Sequence, residues 1–295
     1  MIWFPLALGT ATLTALQDFC SKKSLRYLDA TVVTALLGSL SALGLGLVLT
    51  QWGWPQELKP GFWGVLLADG GLNTFAFWAY NRALKEGELS LVAPIAAFSP
   101  LFFFITSPLI VGESPTATDF LGCLLVVVGS YGLNWQERHK GYWAPLRALW
   151  QYPASRRMLG TALIWSITAN LDKVGVQKSS PLFWMFAVYG FVALGMGILI
   201  TCQGRWPAVW QQLKPQRDQP SPWVYLLPMG LFSGVAVAMQ MYALTLTLVV
   251  RVIAVKRLST LMGVLLGVLF LGEKGLGSRL GGAALMVAGV AVLLG

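Results

Sequence analysis

Apolar residues in this chain fall into long runs separated by short polar connections. The runs lie at about Ile2–Phe19, Ala30–Thr50, Gly61–Tyr80, Leu89–Val111 and Asp119–Trp135. They continue at about Met158–Val176, Pro181–Cys202, Trp223–Leu246, Leu248–Leu271 and Leu276–Leu294. Each is close to the ~20 residues a helix needs to cross a bilayer. The pattern predicts an all-α polytopic membrane protein of ten transmembrane helices. Gly, Pro and charged residues gather in the connections, as in Lys85-Glu-Gly-Glu88. The longest polar stretch, 136–157, divides the chain into five-helix halves at 1–135 and 158–295. Within it Trp143, Leu146 and Trp150 share one face beside Arg138, Lys140, Arg147, Arg156 and Arg157. That is the pattern of a basic amphipathic linker lying in the membrane interface.

The two halves repeat. Shifting 6–50 forward by 151 superposes ten identities in 45 positions, among them Leu8-Gly-Thr-Ala11 on Leu159-Gly-Thr-Ala162 and Lys22 on Lys173. Shifting 71–133 forward by 160 gives 14 in 63, including Ala83-Leu84 on Ala243-Leu244, Ser99 on Ser259, and Gly112-Glu113 on Gly272-Glu273. Five spans per copy is an odd number, so successive copies cross in opposite senses. The expectation is two inverted five-helix repeats, an architecture of secondary transporters that bind substrate near the midplane.

Composition narrows the function classes. Hydrophobic residues are 56% and charged residues 11%, against roughly 25% charged in an average globular chain. A soluble enzyme, a nucleic-acid-binding module and a disulfide scaffold are excluded on that ground. The net charge of +9 reads as basic loops on the cytoplasmic face. Lys and Arg crowd the odd-numbered connections (Lys22, Arg82, Arg156, Arg205), whereas the even ones hold only Lys59 and Lys178. The positive-inside rule then puts both termini outside. Cys20, Cys123 and Cys202 form no C-x-x-C pair, so no zinc site is expected. No organellar targeting segment is evident, which makes a bacterial inner membrane the default location.

The repeated motifs carry a family resemblance. Ala83-Leu84, Ser99-Pro100, Gly112-Glu113 and a Gly-rich fifth span, with a second copy at Ala243-Leu244, Lys256-Arg-Leu-Ser259 and Gly272-Glu273, resemble the EamA domain. The whole chain resembles the ten-helix drug/metabolite transporter superfamily. That resemblance implies a monomeric, alternating-access carrier of small metabolites with no metal or organic cofactor. Similar carriers are usually described with both termini inside, opposite to the charge count here.

Polar residues inside spans face one another or a wet cavity. Thr10, Thr14, Gln17 and Ser21 form one stripe on the first span. Their counterparts on the sixth are Thr161, Trp165, Thr168 and Asp172. Asp69, Asn73 and Tyr80 share a face of the third span. Ser233 and Gln240 are the eighth-span counterparts of Asn73 and Tyr80. These stripes predict an aqueous path bounded by spans one, three, six and eight, the other reading being interhelical hydrogen bonding.

The ninth span holds Arg251, Lys256 and Arg257. Arg251 is near enough to the end to snorkel. Lys256 and Arg257 lie deeper, each at a cost of ~2.5–3.5 kcal/mol on insertion scales, and replace Ala96 and Ala97 of the first half. Either they hold an anionic substrate group or they pair with Asp172 or Asp69. Distantly related plastid phosphate translocators carry a similar Lys-Arg pair that holds phosphate. Asp69 and Asp172 are candidates for proton coupling, and Asp18 for an i,i+4 salt bridge with Lys22.

Other features read as structural. Glu113 and Glu273 suit helix starts. Gly263–Gly267 and Gly277–Gly281 suit close helix packing. Pro94, Pro100 and Pro108 suit a kink. His139 falls in a basic loop. The reading is a secondary carrier of small metabolites, with a carboxylate- or phosphate-bearing substrate held by Lys256 and Arg257. The alternative is an exporter of amino acids or amphipathic metabolites lined by Phe77, Trp78, Tyr80 and Trp165. An intramembrane enzyme or a non-transporting subunit ranks below both.

Overall fold

The computed structural model describes residues 2–87, 95–132, 152–214, 220–271 and 280–294, and these are helical with short turns between. In chain order the first half has α1 (Trp3–Ser24), α2 (Ala30–Trp52), α3 (Phe62–Glu86), α4 (Ser99–Ile110) and α5 (Ala117–Gly132). The second has α6 (Pro153–Lys178), α7 (Pro181–Cys202), α8 (Trp206–Leu213), α9 (Trp223–Leu246), α10 (Val249–Lys256), α11 (Leu258–Leu271) and α12 (Leu280–Leu294). Most of the expected linker, with Gly272-Glu273, Gly277, Pro94 and His139, lies outside the described residues.

Local chemistry sets the boundaries. Asp29 caps α2 by accepting the Thr31 amide at 2.9 Å. Ser180 precedes α7, whose first residue is Pro181, a position where the missing N–H costs nothing. The same device starts α6 at Pro153, five residues before the expected span. Arg156 and Arg157 therefore belong to a helix rather than to the linker, and Arg157 pairs with Glu86 at the end of α3. The seventh connection contains the short α8, which buries Val209 and Leu213 and exposes Trp206 and Trp210. Arg205 beside it pairs with Asp29 at 3.4 Å, and Gln212 accepts the Asp29 amide. Burial pushes the Asp29 carboxyl up, but the Thr31 amide and hydroxyl with Arg205 outweigh it and hold the group below its ordinary range.

Among the described residues α2, α7 and α9 are long and apolar enough to cross a membrane on length and composition alone. α1, α3 and α6 are as long but carry buried polar residues that dilute their hydropathy. Leu43, Leu47, Leu67, Ile105, Leu109, Leu194, Ile198 and Leu231 point outward. So much outward apolar surface is normal only against lipid.

The main packed pairs are α1 with α9, α3 with α6, α2 with α7, and α5 with α12. The last pair meets through glycines: a Cβ on Gly122 would stand 2.9 Å from the Gly289 carbonyl, and one on Gly129 would stand 2.6 Å from that of Gly282. A Cβ on Gly263 or Gly281 would meet nothing within 4 Å. Of the glycines the spacing suggested, Gly263 and Gly281 therefore make no such approach.

The ninth span is not one helix. α10 ends at Lys256, Arg257 forms a turn, and α11 starts at Leu258. A turn at Ala97–Phe98 likewise precedes α4. A continuous helix would carry Lys256 and Arg257 as two charges on adjacent faces; the break lets both serve one space.

Candidate functional site

A cavity of about 80 Å3 lies where these elements converge. α1 contributes Thr14, Gln17 and Asp18; α3 contributes Asn73, Phe77 and Tyr80; α6 contributes Trp165, Thr168 and Asp172. Met185 and Tyr189 of α7 and Val237 and Gln240 of α9 complete the wall. Ile253, Lys256, Arg257, Ser259 and Thr260 line it around the break in the ninth span.

The two cations have neutral hydrogen-bond partners. Lys256 Nζ donates to Gln240 Oε1 at 2.6 Å. Arg257 Nε and Nη2 donate to Ser99 Oγ at 3.0 and 2.7 Å, and the guanidinium carbon stands 5.6 Å from the centre of the Trp165 ring, within cation–π range. Arg257 is 6% exposed, so this scaffold fixes it. Among the described residues neither cation forms an ion pair with a carboxylate. Asp18 is close enough to interact with both, and Asp172 with Lys256. The α11 N-terminus, with Ser259 and Thr260, faces the same space, and its dipole adds a favourable field for an anion.

The acids are held separately. Asp18 faces the cavity beside Tyr80. Asp172 Oδ1 accepts Trp184 Nε1 at 2.8 Å. Asp69 Oδ2 accepts Asn73 Nδ2 at 2.9 Å, while its Oδ1 is buried without a partner. Aromatic rings enclose the remaining side: Trp165 lies against Tyr80 and Phe77 at 5.0 and 6.0 Å between centroids.

Lys256, Arg257, Gln17, Asn73, Tyr80, Trp165, Thr168, Gln240 and Asp172 all border the cavity. Asp69 stands behind Asn73 instead of lining it. The polar stripes divide: Thr10 donates to the carbonyls of Leu6 and Ala236, Ser21 to Asn81, Thr161 to Arg157 O, and Ser233 meets Tyr189. Trp78 turns from the cavity to the Thr31 hydroxyl at 3.3 Å.

Asp18 is the residue that reasoning from the sequence misplaced. Lys22 donates to the carbonyls of Leu84 and Gly87, and Asp18 faces the cavity. Its spacing of four from Thr14 was the available signal, since i and i+4 share a face. Arg251 does not merely snorkel: its Nε meets Asp119 Oδ1 at 2.6 Å.

The profile described as "EamA-like transporter family" matches residues 1–135 and 157–295. A curated relative described as "Uncharacterized transporter in cobO 3'region", from Sinorhizobium sp, is 30% identical over 129 residues, covering 43% of this chain and 91% of the relative. A solved structure titled only "Crystal structure of protein" matches with a TM-score of 0.73 at 17% identity, over 97% of this chain and 98% of that one. The last likeness speaks to fold alone.

Proposed function

The chain belongs to the EamA-like transporter family, a membrane transporter family, and from that premise we propose that it carries a small metabolite bearing a carboxylate or phosphate. Lys256 and Arg257 hold the anionic group. The observation that carries this reading is the pair of cations at the broken helix, both on the cavity and both hydrogen-bonded, among the described residues, to neutral partners. Arg257 can offer its remaining guanidinium edge to two oxygens of one anion. Lys256 supplies a compact charge beside it.

Alternating access between two inverted five-helix repeats is the proposed mechanism. The packing favours it, because the repeat offsets exchange α1–α9 with α6–α3 and return α2–α7 and α5–α12 to themselves. Individual contacts obey the same exchange. The close approach of Gly122 to Gly289 becomes that of Gly282 to Gly129, and Gly70 against Phe191 becomes Gly230 against Leu40. The breaks at Ala97 and Arg257 are 160 residues apart. We place the protein in a bacterial inner membrane with its basic, odd-numbered connections in the cytoplasm.

A second reading has its own support. Asp18 and Asp172 face the cavity with the aromatic group Phe77, Tyr80 and Trp165. An amino acid would set its carboxylate on Lys256 and Arg257 and its ammonium on an acid.

The test is a thermal-shift screen of purified protein with anionic, zwitterionic and cationic metabolites, repeated on Lys256→Gln/Arg257→Gln. A ligand of the folded state at 100 times its Kd stabilises by about 2.7 kcal/mol. A shift from anions that the double variant loses supports the first reading. A shift only from zwitterions, lost in both the double variant and Asp18→Asn, supports the second. A shift only from cations or neutral compounds, intact in the double variant, refutes both.

A further inference from the structure

Three carboxylates stand in or behind the cavity wall, Asp18, Asp69 and Asp172, against two cations, Lys256 and Arg257. Asp18 interacts with both cations and stands beside Tyr80; Asp172 interacts with Lys256 and accepts from Trp184. Asp69 has neither a cation nor a full set of donors. It is 0% exposed, takes a single hydrogen bond from Asn73, and its second oxygen is buried with no partner. Among the described residues the elements around it offer nothing positive. α6 presents Asp172, close enough to repel it. α7 presents Tyr189, whose hydroxyl is engaged with Ser233. α2 has no titratable side chain.

A buried carboxylate with an unmatched oxygen beside a second carboxylate is among the costliest arrangements in a protein interior. The charge count has one acid too many. We propose that Asp69 is a proton-binding site that couples transport to protons, with Asn73 as its link to the cavity. This rests on the carrier reading, since the cavity is the proton's route in and out. The step is a simple transfer: the Asp69 O–H breaks, its electron pair stays on the carboxylate, and the proton passes to water in the cavity. With Asp69 neutral, the two cations face two acids, Asp18 and Asp172, and an anionic substrate meets no further negative charge. With Asp69 ionised, a third acid adds its field beside Asp172 and the anion is held less well. Linkage makes this reciprocal: bound anion favours the proton and bound proton favours the anion.

Infrared difference spectroscopy of the full chain in lipid, in buffers spanning pH 5 to pH 9 (roughly the window in which perturbed acids titrate), reads the proton without any substrate. The expected result is a carbonyl stretch of a protonated carboxylic acid that disappears at high pH. It is absent from Asp69→Asn and retained in Asp18→Asn. Should Asp69→Asn fail to fold, Asp172→Asn provides the second variant: removing the repelling charge moves the titration to lower pH. No titrating carbonyl band, or one that persists in Asp69→Asn, overturns the proposal. So does a band abolished at constant pH by sodium chloride but not by choline chloride, which assigns the site to Na+. A ligand shift lost in Lys256→Gln/Arg257→Gln without any such band leaves the anion carrier standing and removes only its proton coupling. The band without any such ligand shift does the reverse.

Discussion

Lys22 and Lys173, 151 residues apart and equivalent in the repeat, make the same contact in their two halves. Lys22 donates to the carbonyl of Gly87, which follows α3, and Lys173 to that of Thr247, which follows α9, at 2.8 Å. Each lysine thus ties the end of one helix to the end of the third spanning helix of its own half. Lys173 also meets Glu113 Oε1 at 2.6 Å, and Glu113 Oε2 accepts the Val249 amide at the start of α10. One end of the bundle is closed by this cluster.

Breaking the cluster should loosen that end. Lys173→Met leaves a largely buried Glu113 oxygen unpaired, a loss of about 1–3 kcal/mol. Thermal unfolding in detergent checks it, and a double-mutant cycle with Glu113→Gln should give costs well short of additive. Additive costs would mean that the two side chains act independently.

Neutralising Lys256 should separate stability from function. The ammonium is largely withdrawn from water and has one neutral partner, so Lys256→Met should leave apparent stability unchanged or raise it by up to about 1 kcal/mol. Any anion-induced stabilisation should vanish in the same variant. A large fall in unliganded stability would instead make Lys256 a structural ion-pair partner.

Gly129 tests the backbone approach between α5 and α12. A side chain there would collide with backbone of α12, which cannot give way as a flexible side chain can. Gly129→Leu is expected to cost at least about 1–3 kcal/mol and to lower expression, whereas Gly263→Ala, which meets open space, should be tolerated. Melting temperatures of the two variants decide it.

Arg251 and Asp119 provide a further check. Asp119 is 1% exposed and keeps the Thr116 amide and hydroxyl when Arg251 is removed. Arg251→Ala should therefore cost about 1–3 kcal/mol, less than removing a partner from a fully buried pair, and Asp119→Ala in addition should recover little. Unfolding of the single and double variants measures both.

Much of the cavity was legible from spacing. Thr14, Gln17, Asn73, Tyr80, Trp165, Thr168 and Gln240 are polar or amphipathic residues recurring at helical intervals in otherwise apolar runs, and such placement costs too much to be accidental. Thr10, Ser21 and Thr161 belong to the same stripes yet bond to backbone or neighbouring side chains, because a stripe states only which face is polar. Asp18 carried two compatible spacings, to Thr14 and to Lys22, and only the position of Gly87 and Leu84 around Lys22 decides between them.

The sequence alone determined what can be decided by residue type and period: long apolar runs that lipid demands, two copies of one pattern, and charges too deep to be incidental. Tertiary structure decided what depends on facing partners. It broke the ninth span at Arg257, set glycines of α5 and α12 against each other, and left one oxygen of Asp69 with no donor among the described residues. Those outcomes follow from which helix lies opposite, and periodicity within one helix cannot encode its neighbour.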